Sequence, residues 1–222
     1  IGSGPAGLTI AAELLKKGCA VEIFEKEEKL GGYMRYGIPE YRLPDDIVET
    51  EIERILKLGL QVHTNTKVGK DISLKEIENS HDAVVIATGF SVGKMLPDFA
   101  NNPFVETGVS FLKRAKENKG HVLIEDNILV IGGGDVAMDV CTTLKILGSP
   151  NVTDVIYEEN YELRASEKEL AGARQMGVTL IDGYIPVEIE GNTVKFKHRR
   201  IPSEIKISAD KIILAIGQFA DV

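Results

Sequence analysis

Tryptophan is absent from the 222 residues, aromatic residues make up only 6%, and there are two cysteines. Cys19 and Cys141 stand alone, so the chain has neither a disulfide framework nor a paired-thiol redox motif. The four histidines, His63, His81, His121 and His198, are scattered and form no cluster with carboxylates. That pattern argues against a protein-bound metal and offers no acid–base residue for catalysis. No apolar run approaches the roughly 20 residues of a membrane span, and no signal sequence stands out. A formal charge of −8 without a basic stripe excludes nucleic acid as the expected partner. The remaining composition, 43% hydrophobic and 27% charged, is that of a soluble globular protein with one large domain or two small ones. A reducing cytoplasm is the expected location.

Glycine is what the chain has in quantity, and its placement is informative. The apolar run 128–131 breaks into Gly132-Gly133-Gly134-Asp135-Val136-Ala137 and then a helical pattern, which reads as strand, tight turn, helix. Gly132 permits the turn, Gly134 clears space for a pyrophosphate at the backbone, and Ala137 lets the helix pack closely on the strand. The helix N-terminus then offers N–H groups and a positive dipole end to phosphates. A second apolar run, 152–157, ends in Glu158 and Glu159, where an acid that reads a ribose belongs.

The unit occurs twice. Ile1-Gly2-Ser3-Gly4-Pro5-Ala6-Gly7 aligns with residues 131–137 without a gap. Gly18 and Gly148 each fall sixteen residues after the first motif glycine. The next strands are expected to end in Phe24-Glu25 and Tyr157-Glu158, with three extra residues in the second loop, which sets Glu158 opposite Glu25. Two dinucleotide sites imply two dinucleotides and electron transfer between them. Because Ile1 would be the last residue of a central strand and 218–222 would lie in mid-loop, the chain reads as an internal piece of a longer protein.

Helices are expected over 5–17, from Pro44-Asp45-Asp46 onward, over 108–118, and over 166–175 with Ser166 as cap. Strands are expected at 21–24, 60–63 and 82–87, the last of a fully buried kind, and at 178–181 and 211–216. Residues 186–190, 193–198 and 205–207 form an antiparallel meander around the Gly191-Asn192 turn. The irregular stretch 26–43, with Arg35, Tyr36, Tyr41 and Arg42, suggests ligand contact as readily as a surface connection. Ala215-Ile216-Gly217 repeats Ala87-Thr88-Gly89. Burial as small apolar residues is the expectation for both cysteines.

These residues carry a resemblance. Gly2 to Leu8, Phe24-Glu25, Gly31-Gly32, Arg35-Tyr36-Gly37-Ile38-Pro39, Arg42-Leu43-Pro44, Ala87-Thr88-Gly89, the stretch 132–139 and Ala215-Ile216-Gly217-Gln218 together resemble the glutamate synthase small (beta) subunit family. That family shares flavin and pyridine-nucleotide domains with dihydropyrimidine dehydrogenase. The resemblance covers essentially the whole chain. It implies an α/β protein of two Rossmann-like dinucleotide-binding domains, parallel sheets with an antiparallel β-meander, of the FAD/NAD(P)-linked reductase type. Residues 1–118 would form the FAD-binding domain, lacking its first strand and closing segment. Residues 119–222 would form the NAD(P)-binding domain and begin the return to the FAD domain.

By position, the resemblance gives Gly2, Ser3, Gly4, Pro5 and Ala6 to the FAD pyrophosphate and Glu25 to its adenosine ribose. Gly32, Tyr33 and Arg42 would lie along the flavin dinucleotide, Val68 would meet the adenine through its backbone, and Thr88 and Gly89 would end the strand beside it. Gly132, Gly133, Gly134, Asp135 and Val136 would take the nicotinamide dinucleotide, with Ala215, Ile216 and Gly217 closing over it. Hydride would pass from NAD(P)H to FAD and leave as single electrons for an iron–sulfur or partner subunit. The iron–sulfur clusters would lie in segments outside this chain. Family members often carry an arginine pair after the strand tyrosine, where a 2′-phosphate would sit. Here Glu158 and Glu159 stand there, with Arg164 as the opposing cation, so NAD(H) is favoured over NADP(H). A non-catalytic nucleotide-binding scaffold, or a regulatory fragment of a larger complex, stays open as the alternative. A thioredoxin reductase type would need the cysteine pair that is missing.

Overall fold

The computed structural model describes residues 1–159 and 162–221, so Val222, the expected end of the second domain, lies outside them. The chain divides into two compact units: Ile1–Ser91 with the residues from Ala220 onward, and Val92–Phe219. The boundary therefore falls after Ser91 and not at 118. The reason is pairing: the segment between supplies a strand and a helix to the second sheet, as given below.

The first unit opens with helix α1 (Pro5–Lys16), followed by strand β1 (Glu22–Phe24) and the four-residue helix α2 (Tyr33–Tyr36). Helix α3 (Asp45–Leu56), strand β2 (Gln61–His63) and helix α4 (Leu74–Ser80) complete it. β1 and β2 pair in parallel, Phe24 opposite His63. Leu8 and Ala11 of α1 and Val48 and Ile52 of α3 close over Ile23 and Leu60, whereas Leu14, Ile47 and Leu56 stay exposed. Pro44 at the N-cap and Asp45 and Asp46 in the first turn suit the start of α3. The expected buried strand at 82–87 is corrected. No ladder forms there, and Val85 and Ile86 are 43% and 61% exposed. The segment is tied to Ile1, which donates to the Val85 carbonyl (2.7 Å) and accepts from the Ala87 amide (2.8 Å).

In the second unit, β3 (Val92–Gly93) and β4 (Val105–Thr107) precede α5 (Gly108–Glu117), β5 (Asn127–Ile131) and α6 (Asp135–Ile146). Then come β6 (Asn151–Ile156), α7 (Glu167–Gln175), β7 (Thr179–Asp182) and the meander β8 (Tyr184–Glu190), β9 (Thr193–His198) and β10 (Glu204–Ser208). β11 (Lys211–Leu214) and β12 (Gln218–Phe219) end it, β12 pairing antiparallel with β3. The main sheet is parallel, in the order β4-β11-β5-β6-β7. Ile128, Val130, Val152, Ile156 and Ile213 face the helices, against Phe111 of α5 and Met138, Cys141 and Leu144 of α6. Leu129, Ile131, Val155, Ile212 and Leu214 face the meander's Val194 and Phe196. Both faces are covered, so these strands read as continuous apolar runs.

One residue breaks that pattern. Asp154 lies between Val152 and Ile156 on the helix side of β6 and is fully buried, with no well-aligned hydrogen bond to either carboxylate oxygen and only the Gly132 amide stabilising its charge. Burial pushes its carboxyl well above the usual carboxylate range. The sign follows from linkage. A carboxyl raised in the native state carries no ionisation-linked cost below its ordinary value near 3.8, and that cost grows as pH climbs towards the native value. Asp154→Val should therefore raise the melting temperature at pH 7.5 by roughly 3–6 °C, with the gain shrinking towards pH 4.5. Calorimetric scans of both proteins at the two pH values decide it. An equal gain at both, or none, would contradict the assignment of a buried, poorly partnered acid.

Candidate dinucleotide sites

Two glycine turns, one in each unit, have the same construction. A Cβ built on Gly2 would lie 2.4 Å from the Ala87 carbonyl oxygen, and one built on Gly132 would lie 2.4 Å from that of Ala215. The Ala87 amide donates to the Ile1 carbonyl, and the Ala215 amide to that of Ile131, each at 2.8 Å. Thus the first motif glycine is pressed against the end of the neighbouring segment in both units, and the expected equivalence of 87–89 and 215–217 is seen in the contacts. Gly89 and Gly217 both take positive φ, +66° and +110°. Gly7 has its own role: a Cβ there would sit 2.0 Å from the Gly2 carbonyl, so only glycine lets α1 rise directly from the turn.

The third motif glycines differ from the first. Gly4 and Gly134 are the N-caps of α1 and α6, neither helix has a side-chain cap, and a Cβ on either would meet nothing within 4 Å. By contrast α4, α5 and α7 are capped by Ser73, Thr107 and Ser166. Open space at an uncapped helix N-terminus is the cradle that a pyrophosphate fills. Pro5 and Ala6 at the start of α1 are exposed, Ala137 at the start of α6 is fully buried, and Val136 packs beside Gly108. Asp135 turns its carboxylate to the Ser166 amide (3.0 Å), joining the starts of α6 and α7.

In the first unit Glu25 is buried and its carboxylate accepts from the Ser3 amide (2.8 Å), the Ser3 hydroxyl and the Glu27 amide (2.9 Å). A carboxylate has about four lone-pair sites, so capacity remains for a ribose hydroxyl. The Gly31 amide donates to the Ser3 carbonyl (3.0 Å), and a Cβ on Gly32, at φ +52°, would lie 2.7 Å from the Gly4 Cα. Gly2 to Gly4, Glu25 and Gly31-Gly32 are thereby one knot. Tyr33 folds its ring beside Gly37, and Arg42 is exposed beyond a turn from Pro39. Val68 bridges Ile72, two residues past Thr66, whose amide donates to the Glu25 carbonyl (2.8 Å). Arg35 is corrected from a candidate ligand contact: it is buried, donates Nε to the Leu30 carbonyl (2.7 Å) and pairs with Glu49. It braces the loop.

In the second unit the register of the repeat is corrected. The Gly2 amide donates to Phe24 and the Gly132 amide to Val155, so Ile156, not Glu158, occupies the level of Glu25. The second loop is one residue longer, not three. Glu158 reaches the turn from further along: a Cβ on Gly133 would lie 2.5 Å from its Oε2 and 2.6 Å from the Ile156 side chain. An acid meets the middle motif residue in both units, by different routes.

The surroundings of that acid were not legible in the sequence. Arg164 Nε pairs with Glu158 Oε1 (2.8 Å). Arg199 donates to Glu162 Oε2 (2.8 Å) and to the Tyr157 carbonyl (3.2 Å), its guanidinium 4.0 Å above the Tyr157 ring. Arg200 donates to Glu162 Oε1 (3.1 Å) and lies 3.1 Å from Glu159 Oε1 as an ion pair without hydrogen-bond alignment. Three arginines thus meet three glutamates, where the sequence showed one arginine facing two acids. The Arg199-Arg200 pair directly after β9 was the available signal, but some forty residues separate it from the acids, and only the meander brings them together.

The cysteines differ from each other. Cys19 is exposed, against expectation, just past the end of α1, and Cys141 is buried in α6. Burial pushes the Cys141 thiol well above its usual range, which leaves it unreactive. No helix among the described residues is long and apolar enough to cross a membrane.

Paired glycine turns, parallel strands and uncapped helix starts define a two-fold Rossmann-like, FAD/NAD(P)-type oxidoreductase fold. The comparisons agree. The family described as pyridine nucleotide-disulphide oxidoreductase matches residues 1–222, and the chain belongs to it. It is 48% identical over 220 residues to the NAD-dependent dihydropyrimidine dehydrogenase subunit PreT of Escherichia coli O157:H7, covering 99% of this chain and 53% of the relative. It is 29% identical over 250 residues to the glutamate synthase [NADPH] small chain of Azospirillum brasilense, covering 98% and 52%. These are the relatives that the sequence motifs pointed to. Among solved structures, Mycobacterium tuberculosis FprA in complex with NADPH superposes with a TM-score of 0.81 at 16% identity, over 98% of this chain and 69% of that one, a likeness of fold. The chain spans about half the length of its first relatives.

The two kinds of motif glycine should separate by experiment. Gly134→Ala should change the melting temperature by no more than about 3 °C yet weaken binding of NAD⁺ at least about tenfold. Gly132→Ala should lower the melting temperature well beyond that, because its Cβ meets a carbonyl oxygen. Calorimetry on the two variants reads both effects. Unchanged affinity in Gly134→Ala would remove the pyrophosphate from that turn.

Proposed function

We propose that the chain is the hydride-transfer module of a flavin-dependent oxidoreductase, taking electrons from a reduced nicotinamide dinucleotide into FAD and passing them to an iron–sulfur or partner subunit. The observation that carries this reading is the pair of matched glycine turns in one chain, each with an open cradle at an uncapped helix start. Ser3 to Ala6 and Glu25 would hold the FAD pyrophosphate and ribose. Gly133 to Val136 and Glu158 would hold the nicotinamide dinucleotide, with Ala215 to Gly217 closing the site. When bound, the two groups supply a hydride donor and an acceptor able to release electrons singly. The side chains then have binding and orienting to do, and none need titrate.

The named activities of the relatives, a dihydropyrimidine dehydrogenase subunit and a glutamate synthase small chain, support an electron-accepting partner subunit. The preference for NADH over NADPH rests on Glu158: a carboxylate over Gly133 accepts from a 2′-hydroxyl and repels a 2′-phosphate. With three arginines nearby, the simple charge count no longer decides. What decides is engagement, since Arg164, Arg199 and Arg200 are each paired with a glutamate of the chain. The PreT relative is named NAD-dependent, and the Azospirillum relative is named for NADPH.

Anaerobic mixing of the flavin-loaded protein with NADH or NADPH, followed by flavin bleaching, tests the reading. NADH should reduce the flavin with the higher kcat/KM. Glu158→Arg with Glu159→Arg should move the ratio towards NADPH by about tenfold or more. A wild-type preference for NADPH, or an unmoved ratio, would mean that Glu158 does not read the ribose. A flavin that neither dinucleotide bleaches would favour the scaffold reading.

A further inference from the structure

Resting on the placement of the nicotinamide dinucleotide in the second unit, we infer that Arg199 and Arg200 are positioning residues for the choice between a free and a phosphorylated 2′-hydroxyl. The stretch that carries Glu158 is held from the meander. The Arg199 amide donates to the Gly183 carbonyl (2.8 Å) and the Gly183 amide to the Glu158 carbonyl (3.2 Å), so one backbone path ties the end of β9 to the acid itself. His198 Nδ1 faces the Arg200 amide (3.1 Å) and the Ile201 amide (3.3 Å), so it serves as acceptor and bends the chain after β9. Gly183, at φ +78°, lets this corner close: a Cβ there would lie 2.8 Å from His198 Nε2 and 3.1 Å from Glu159 Cγ.

The two arginines divide the work. Arg199 grips the Tyr157 carbonyl, the Tyr157 ring and Glu162 at once, which needs a planar guanidinium. It fixes the backbone next to Glu158. Arg200 places its charge between Glu159 and Glu162. It cancels the two acids that would otherwise add their field to that of Glu158 and repel the dinucleotide, a phosphorylated one most.

The test uses ADP-ribose and 2′-phospho-ADP-ribose, which carry the discriminating end of each dinucleotide and need no flavin turnover. Calorimetric Kd values are measured on the protein and its variants at low and high NaCl. Arg200→Ala should weaken the phosphorylated probe about tenfold more than ADP-ribose at low salt, and salt should narrow that gap. Adding Glu159→Gln to Arg200→Ala should restore much of the loss. Arg199→Ala should weaken both probes by similar factors of about three to ten, and Arg199→Lys should not rescue them. If Arg200→Ala is unfolded by circular dichroism, Arg200→Gln takes its place. Equal, salt-independent losses for the two probes in the Arg200 variant, or wild-type binding in both arginine variants, would overturn the inference while leaving the function intact. A wild-type protein that binds neither probe would overturn the placement of the dinucleotide and the inference with it.

Discussion

The contact on which both units depend is between a glycine Cα and a carbonyl oxygen. At Gly2 and again at Gly132 there is no room for a Cβ, because the end of the neighbouring segment lies against the turn. That approach fixes where the helix starts. It also leaves both helix starts without a side-chain cap, at the positive end of a dipole. Both of these starts open into free space at a glycine, whereas α4, α5 and α7 are closed by a serine or threonine cap, and α2 and α3 begin uncapped at Gly32 and Pro44. The cradle and the fold are thus one piece of geometry.

The sequence was legible wherever local chemistry decides the outcome. Glycine spacing, the Gly18 and Gly148 stops, the Ser166 cap and the Gly191-Asn192 turn each act within a few residues, and each appears as expected. Longer-range packing was misread. The 82–87 run has the composition of a buried strand, yet among the described residues it forms no ladder and bonds to Ile1 only through Val85 and Ala87. The resemblance assigns residues 92–118 to the FAD-binding domain, ahead of the second nucleotide unit. They belong to that second unit because β4 adds to β11 and α5 packs on α6. Arg35 reads as a ligand contact from composition, yet its burial and the Leu30 carbonyl make it a brace.

The candidate site was half visible for the same reason. An acid near each glycine turn can be named from sequence, but its level in the strand cannot, since the register depends on a loop that is one residue longer in the second unit. Arg164 pairs with Glu158 itself, but Arg199 and Arg200, which pair with the neighbouring Glu162 and Glu159, follow a meander strand remote in sequence. Asp154 adds a further constraint that spacing cannot reveal, because alternation marks its face of β6 as apolar. A poorly partnered carboxyl beneath the helices is a cost that the surrounding core must offset.

On the proposed function, each glycine turn holds its own dinucleotide. Amide hydrogen exchange at residues 4–8 and 134–138, measured without ligand, with FAD and with NAD⁺, tests it most directly. FAD should slow exchange at the first turn and NAD⁺ at the second. Protection of one turn by both dinucleotides, or of neither turn by either, would contradict the account.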